Sequence, residues 1–241
     1  MQVRPRKLPG LTVVLPCFDE AANLERAVHA ACAAAAAASR EYEVIVVDDG
    51  SRDGSDVIAA ALVDRDPHVR LLVHGENRGY GDAVRSGIAA ARMPWILLTD
   101  ADLQFDLHQL ADFIPYADSA DLLVGWRIQR SDALNRRLNA AAWNWLVRRL
   151  FHLPVRDVDC AFKLMRTSVV QPIPLTSRGA MISTELLVRS LAAGARLEEL
   201  GVHHRPRVAG AASGASPRVI LRAFRELAVL RRVLPGRTPA V

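Results

Sequence analysis

Five short apolar runs mark the first half of the chain: Thr12–Pro16, Glu43–Asp48, Val69–His74, Trp95–Thr99 and Asp121–Gly125, each bounded by turn residues. They are rich in Leu and β-branched residues and too continuous for strands that bury one face. They therefore predict strands covered on both faces, as in a parallel sheet. Segments with helical spacing lie between them at Ala21–Ser39, Ser55–Arg65 and Gly81–Arg92. This alternation predicts an α/β fold with a doubly wound, mostly parallel sheet. The alanine run Ala33–Ala38 needs nothing beyond alanine's helix propensity.

After Gly125 the alternation stops. Leu134–Leu153 sets Leu134, Leu138, Trp145, Leu146 and Leu150 among Arg136, Arg137, Arg148 and Arg149, an amphipathic helix whose default role is core packing. Residues 209–216 (AGAASGAS) predict a loop, and Pro217 opens a last helix running to Leu234. Ile220, Phe224, Leu227, Leu230 and Leu234 share one face of it, flanked by Arg218, Arg222, Arg225, Arg231 and Arg232. That composition suits a helix on an anionic membrane surface, and equally a solvated helix docked on the domain. The predicted organisation is a tail over 1–10, one domain over 11–210, and a Gly/Ser loop with a basic amphipathic helix over 211–241.

With 51% hydrophobic and 24% charged residues the chain is globular, which excludes a disordered, collagen-like or coiled-coil protein. No apolar run reaches the roughly 18 residues of a membrane span. The opening MQVRPRKLPG runs into strand-like sequence without an export signal, so a cytoplasmic protein is expected. Cys17, Cys32 and Cys160 are odd in number and form no C-x-x-C pair, which predicts reduced thiols. The net charge of +5 favours anionic partners. The basic residues are not interleaved with stacking aromatics, which make up 5% of the chain, so no nucleic acid is expected among those partners.

In a doubly wound sheet a ligand sits at the carboxyl ends of the strands, where strand order reverses. Three acidic clusters end predicted strands: Asp19-Glu20 after the first, Asp48-Asp49-Gly50-Ser51 after the second, and Asp100-Ala101-Asp102-Leu103-Gln104 after the fourth. Carboxylates gathered at one rim repel one another unless a cation or sugar hydroxyls engage them, and oxygen ligands favour Mg2+ or Mn2+. In extended backbone Asp100 and Asp102 face the same side. Asp48 and Asp49 also suit plain turn capping. Asn77-Arg78-Gly79-Tyr80-Gly81 fails as a dinucleotide fingerprint, because Val84 holds the third glycine position and the segment does not follow the first strand.

Taken in order, VVLPCFDEAANL (13–24), EVIVVDDGSRDGS (43–55), ENRGYGDAVRSGIAAA (76–91), ILLTDADLQ (96–104), LLVGWR (122–127), RDVDCAFKLMR (156–166) and GAMISTELLVRSLAAG (179–194) resemble glycosyltransferase family 2, of GT-A fold. The Asp-Ala-Asp-Leu-Gln string and the Asn-Arg-Gly segment are most similar to polyprenol-phosphate or dolichol-phosphate hexose synthases. The resemblance implies that Pro16, Phe18, Glu20 and Asp48 line the base and ribose pocket, with Asp49, Asn77, Gly79 and Ala101 beside the nucleotide-sugar. It gives Asp100, Asp102 and Gln104 to the metal and diphosphate, and Arg127 to the donor phosphates. Asp157 is the implied base with Asp159 its competitor, and a phosphate acceptor already ionised near neutral pH needs no strong base.

By the same resemblance Arg207 and Glu185 fall near the acceptor, although a carboxylate favoured by a helix N-terminus explains Glu185 as well. The family's Arg-x-x-Gly-x-Ser-Lys pattern becomes Arg207-Val208-Ala209-Gly210-Ala211-Ala212-Ser213, which lacks the lysine. Arg218 is the candidate replacement. The expectation is an inverting transferase that moves a hexose from a nucleotide-diphosphate sugar to polyprenol phosphate at the inner membrane face. GDP-mannose is the first choice of donor and UDP-glucose the second, and the terminal helix docks on anionic lipid. The alternatives are a soluble saccharide or metabolite acceptor, and a non-catalytic scaffold.

Overall fold

A computed structural model of the chain describes residues 6–128, 134–207 and 217–233, the side chains of 134–140 and 217–222 excepted. β1 (Leu11–Cys17), α1 (Ala21–Ala38), β2 (Tyr42–Asp48), α2 (Ser55–Arg65), β3 (Val69–Val73), α3 (Tyr80–Ala90) and β4 (Trp95–Leu98) follow the predicted alternation. Short helical turns around α4 (Leu110–Phe113) lead to β5 (Leu122–Arg127) and α5 (Leu134–Phe151). β6 (Lys163–Arg166), α6 (Thr167–Val170), α7 (Met181–Ala192), β7 (Leu197–Val202) and α8 (Pro217–Val233) complete the order.

The strands form one seven-stranded sheet in the order β3-β2-β1-β4-β6-β5-β7. β1 pairs in parallel with β2 and β4, β2 with β3, and β5 with β7. β6 runs antiparallel to both β4 and β5. The apolar pattern does not announce β6: its four residues, KLMR, begin and end on a cation, and Lys163 is buried only because of its place in the sheet.

Side chains alternate across the sheet, which is why the runs are apolar throughout. Val13, Leu15, Val44, Val46 and Leu97 belong to the core layer that includes α1 and α2, whereas Val14, Ile45, Val47, Ile96 and Leu98 belong to the layer with α3, α5, α7 and α8. β3 departs from the expectation of two covered faces: it is the edge strand, its middle residues are half-buried and Val73 is exposed. Gly87 lets α3 approach β1 closely, since a Cβ there would collide with Val14 Cγ1.

Helix α5 meets its core-packing expectation through buried Val147 and Phe151, but Trp145, grouped with the apolar face, is 68% exposed. On α8, Leu227 and Leu230 are buried in the second layer, while Phe224 is half exposed and packs edge-on against Trp143 with ring centroids 5.4 Å apart. The predicted loop 209–216, Leu234, and the side chains of Ile220, Arg218 and Arg222 lie outside the described residues. Among the described residues no helix is long and apolar enough to cross a membrane. The three cysteines are free thiols, each pushed up to about 12 chiefly by burial.

Candidate active site

The strand order reverses between β1 and β4, and a cavity of about 430 Å³ opens there at the carboxyl ends of β1 and β4. Of the residues singled out by the sequence, Pro16, Phe18, Glu20, Asp49, Asn77, Gly79, Asp100, Ala101, Asp102, Asp159 and Arg207 line it. Asp48, Gln104, Arg127, Asp157 and Glu185 stand outside its lining.

Side chains lace the loops of the first half together. Asp19, with φ 54°, accepts from Arg52 N at 2.8 Å, and its own N–H donates to Ser51 Oγ. Asp53 accepts from Ala21 N at 2.8 Å. Asp48 is buried under the rim, where Oδ2 accepts from Gly50 N and Ser51 N, and Oδ1 has no partner among the described residues. Its position is that of a turn cap beneath the pocket, not of a pocket wall.

Asp49 is held by the Arg78–Gly79 backbone and by His74, which the pattern did not single out. Its Oδ1 accepts from Arg78 N at 3.0 Å and lies 2.8 Å from His74 Nδ1, and its Oδ2 accepts from Gly79 N at 2.8 Å. His74 Nε2 lies 2.9 Å from Ser86 Oγ on α3. This chain of polar contacts sets the Asn77–Gly79 lip of the cavity, and no local motif signals it because His74 closes an ordinary strand. His74→Ala is expected to destabilise the fold by about 1–3 kcal/mol through loss of one of the two contacts to Asp49 Oδ1 and of the contact to Ser86. Thermal denaturation measures this, and a parental midpoint would assign Asp49's geometry to the backbone N–H groups alone.

Asp100 and Asp102 follow β4. Tyr80 Oη donates to Asp100 Oδ1 at 3.0 Å, and Gln104 N donates to Asp102 Oδ1 at 3.1 Å. Burial pushes the Asp100 carboxyl upward, and burial together with the neighbouring Asp100 charge pushes Asp102 up to about 7. Two crowded, desolvated carboxylates are a donor set that a hard divalent cation would relieve. Among the described residues no three His, Cys, Asp or Glu side chains gather into a metal site of their own. A pair of carboxylates nevertheless fits Mg2+, which is commonly held by one or two carboxylates plus substrate phosphates.

Gln104, expected on the metal, is engaged elsewhere. Its Nε2 donates to Arg205 O at 3.0 Å, and Arg205 N donates to its carbonyl at 2.7 Å. With the Phe105–His204 bridge, these bonds tie residues 204–205 to the loop after β4, and Arg207 two residues on lines the cavity. Arg207 there pairs with Glu20 and stands 3.8 Å from Asp102 Oδ2. Arg207 thus presents a cation to the cavity between two carboxylates.

Arg127 and Asp157, expected on the donor phosphates and as the base, are bound to each other. Arg127 Nε and Nη2 donate to Asp157 at 2.6 and 2.8 Å in a bidentate pair that is largely buried. Asp159, two residues on, is the carboxylate of this loop that lines the cavity. Below it Lys163 is fully buried, and its ammonium donates to the carbonyls of Val158 and Cys160. Burial lowers its pKa, opposed by the surrounding acidic groups.

Glu185, expected near the acceptor, is fully buried on α7, and its carboxylate is engaged within the protein. It accepts from Thr176 N, Ser177 N, Thr176 Oγ1 and Arg189 Nε, all at 2.7–2.9 Å. Burial opposes its charge, but these donors hold it below the usual carboxylate range. It fixes the turn leading to Gly179 and Ala180, which line the cavity.

The sheet and its rim place a cleft at the switch point of an open α/β sheet, with the carboxylates of Asp100 and Asp102 beside Arg207. The Glycosyl transferase family 2 description matches residues 12–173, and the chain belongs to that family of glycosyltransferases. It is 31% identical over 205 residues to an uncharacterized glycosyltransferase of Mycobacterium tuberculosis, covering 83% of this chain and 88% of the relative. It is 30% identical over 228 residues to dodecaprenyl-phosphate galacturonate synthase of Rhizobium johnstonii, covering 93% of this chain and 66% of that one. It is 30% identical over 202 residues to undecaprenyl-phosphate 4-deoxy-4-formamido-L-arabinose transferase of Shewanella sediminis, covering 83% and 60%. Among solved structures, glucosyl-3-phosphoglycerate synthase from Mycobacterium tuberculosis, in complex with Mn2+, UDP and glucosyl-3-phosphoglycerate, superposes with TM-score 0.67 at 18% identity, over 97% of this chain and 82% of that one. Mannosyl-3-phosphoglycerate synthase from Rubrobacter xylanophilus superposes with TM-score 0.70 at 17% identity, over 97% and 78%. These structures share the GT-A fold.

Proposed function

We propose that the protein transfers a hexose, with inversion, from a nucleotide-diphosphate sugar to polyprenol phosphate at the cytoplasmic membrane face. The observation that carries the reading is the cavity at the β1/β4 switch point, lined at once by Asp49, Asn77, Asp100, Asp102 and Arg207. The names of the Rhizobium and Shewanella relatives support a polyprenyl-phosphate acceptor. GDP-mannose and UDP-glucose are the donors to test.

Asp100 and Asp102 would hold Mg2+ or Mn2+, which when bound neutralises charge on the departing diphosphate. Asn77, Gly79 and Asp49 shape the pocket for the nucleoside. Arg207 offers a second positive charge to a phosphate, as preorganised cations in a dry cleft do. Asp159 orients the acceptor without having to remove a proton from an ionised phosphate.

The outer faces of α5 and α8 present Arg148, Arg149, Arg225, Arg231 and Arg232 with exposed Trp145, Phe224, Val229 and Val233. A basic surface studded with apolar side chains suits an anionic bilayer. The burial of Leu227 and Leu230 favours a second reading, in which α8 belongs to the domain alone and the acceptor is a soluble metabolite. Co-sedimentation with anionic vesicles, together with turnover of GDP-mannose and UDP-glucose on undecaprenyl phosphate, decides between them. Lipid binding that is lost in the triple variant Arg225→Glu/Arg231→Glu/Arg232→Glu supports the membrane reading. No lipid binding, with turnover only on soluble acceptors, overturns it.

A further inference from the structure

Helix α8 is a wall of the cavity as well as an outer surface. Ala223 on its inner side lines the same cavity as Asp100 and Asp102. One turn on, Glu226 Oε1 accepts from Arg178 N at 3.1 Å and from Gly179 N at 3.2 Å, and Gly179 and Ala180 line the cavity. The far side of that turn is held by α3, where Gly81 N donates to Arg178 O at 2.8 Å, and a Cβ at Gly81 would strike Ser177 O. The second oxygen of Glu226 is buried without a hydrogen-bond partner among the described residues, so the carboxylate is directed at this one turn. A carboxylate on the terminal helix therefore sets the backbone of the cavity wall, and no requirement of the helix itself explains it, because Glu226 lies in the middle of α8.

We infer that Glu226 is a positioning residue that couples the C-terminal helix to the nucleotide-sugar cavity. The inference deepens the transferase reading above and rests on it only for the identity of the cavity's ligand.

The test uses the full chain with UDP and GDP, each with Mn2+, in calorimetric binding and in donor kinetics. Glu226→Ala is expected to weaken nucleotide binding about tenfold and to raise KM while kcat holds, as loss of two charge-assisted hydrogen bonds at a wall allows. Glu226→Gln keeps an oxygen for both N–H groups and should return binding to within about threefold of the parent. Trp143, packed against Phe224, should report the loosened helix by a shift of its emission in the Ala variant. Should Glu226→Ala fail to fold, Glu226→Asp serves instead: one methylene shorter, it draws the carboxylate away from both N–H groups and should weaken binding in the same direction. Parental nucleotide affinity in a folded Glu226→Ala, or in Glu226→Asp where the Ala variant does not fold, or a Gln variant as weak as the Ala variant, overturns the inference. If neither nucleotide binds the parent protein, the donor reading itself has failed; a changed Trp143 emission in Glu226→Ala would still uphold the clamp, and an unchanged one would refute it.

Discussion

Asp102→Ala is expected to lower metal-dependent donor turnover by about a thousandfold or more while leaving the fold intact. The carboxylate is 8% exposed, sits beside Asp100 and lines the cavity, so its loss leaves Asp100 as the one acidic side chain of the pair. Electrostatic groups aimed at developing charge contribute about 10²–10³ each in other enzymes, and a metal carboxylate combines that role with binding. The fold survives because Asp102 costs stability in the metal-free protein. A carboxyl raised in the folded state to about 7 binds more protons folded than unfolded, so stability declines as pH rises from the ordinary carboxylate range toward 7. Asp102→Asn should therefore be at least as stable as the parent at pH 8 without metal, and should lose the thermal shift given by Mn2+ with nucleotide. Undiminished turnover in Asp102→Ala would remove Asp102 from the metal site.

Asp157→Ala is expected to destabilise the protein by about 3–5 kcal/mol, the cost of stranding a buried ionic partner. Arg127 is then left with its guanidinium largely enclosed and without the carboxylate that takes both Nε and Nη2. For a chain of this size the melting midpoint should fall by roughly 6–20 °C. Replacing both partners, as Arg127→Met with Asp157→Leu, should recover much of the loss, since a well-packed apolar pair can substitute for a buried ion pair. If Asp157→Asn retains both stability and acceptor-dependent kcat, neither an ion pair nor a base is required at this position. If it retains stability and loses kcat alone, the base role stands against Asp159.

Much of this site was legible because its residues follow strands whose apolar pattern is unmistakable. Pro16, Phe18 and Glu20 follow from the end of β1, and Asp100, Ala101 and Asp102 from the end of β4, since the switch-point rule places both ends at one rim. Asp49 was legible as part of its motif, but His74, which contacts it, and Ser86, which contacts His74, come from β3's end and α3 and carry no motif. The pairing of Arg127 with Asp157 was not legible, for a related reason. A basic and an acidic residue 30 positions apart can each address a ligand or each other, and only the β5–β6 region's packing puts them 2.6 Å apart. Glu185 likewise needed the turn at Thr176–Ser177 to reveal that its oxygens are already taken.

By itself the sequence determined the parallel half of the sheet and the acidic rim, because strands buried on both faces must be apolar at every position and loops at their ends are free to carry charge. Only the tertiary structure decided where β6 inserts, how the Phe105–His204 bridge brings Arg207 to the cavity, and that α8 turns Leu227 and Leu230 inward and Ala223 toward the site. Those arrangements rest on contacts between residues far apart in the chain, and such contacts are selected by the fit of packed surfaces, which leaves no periodicity in the sequence to read.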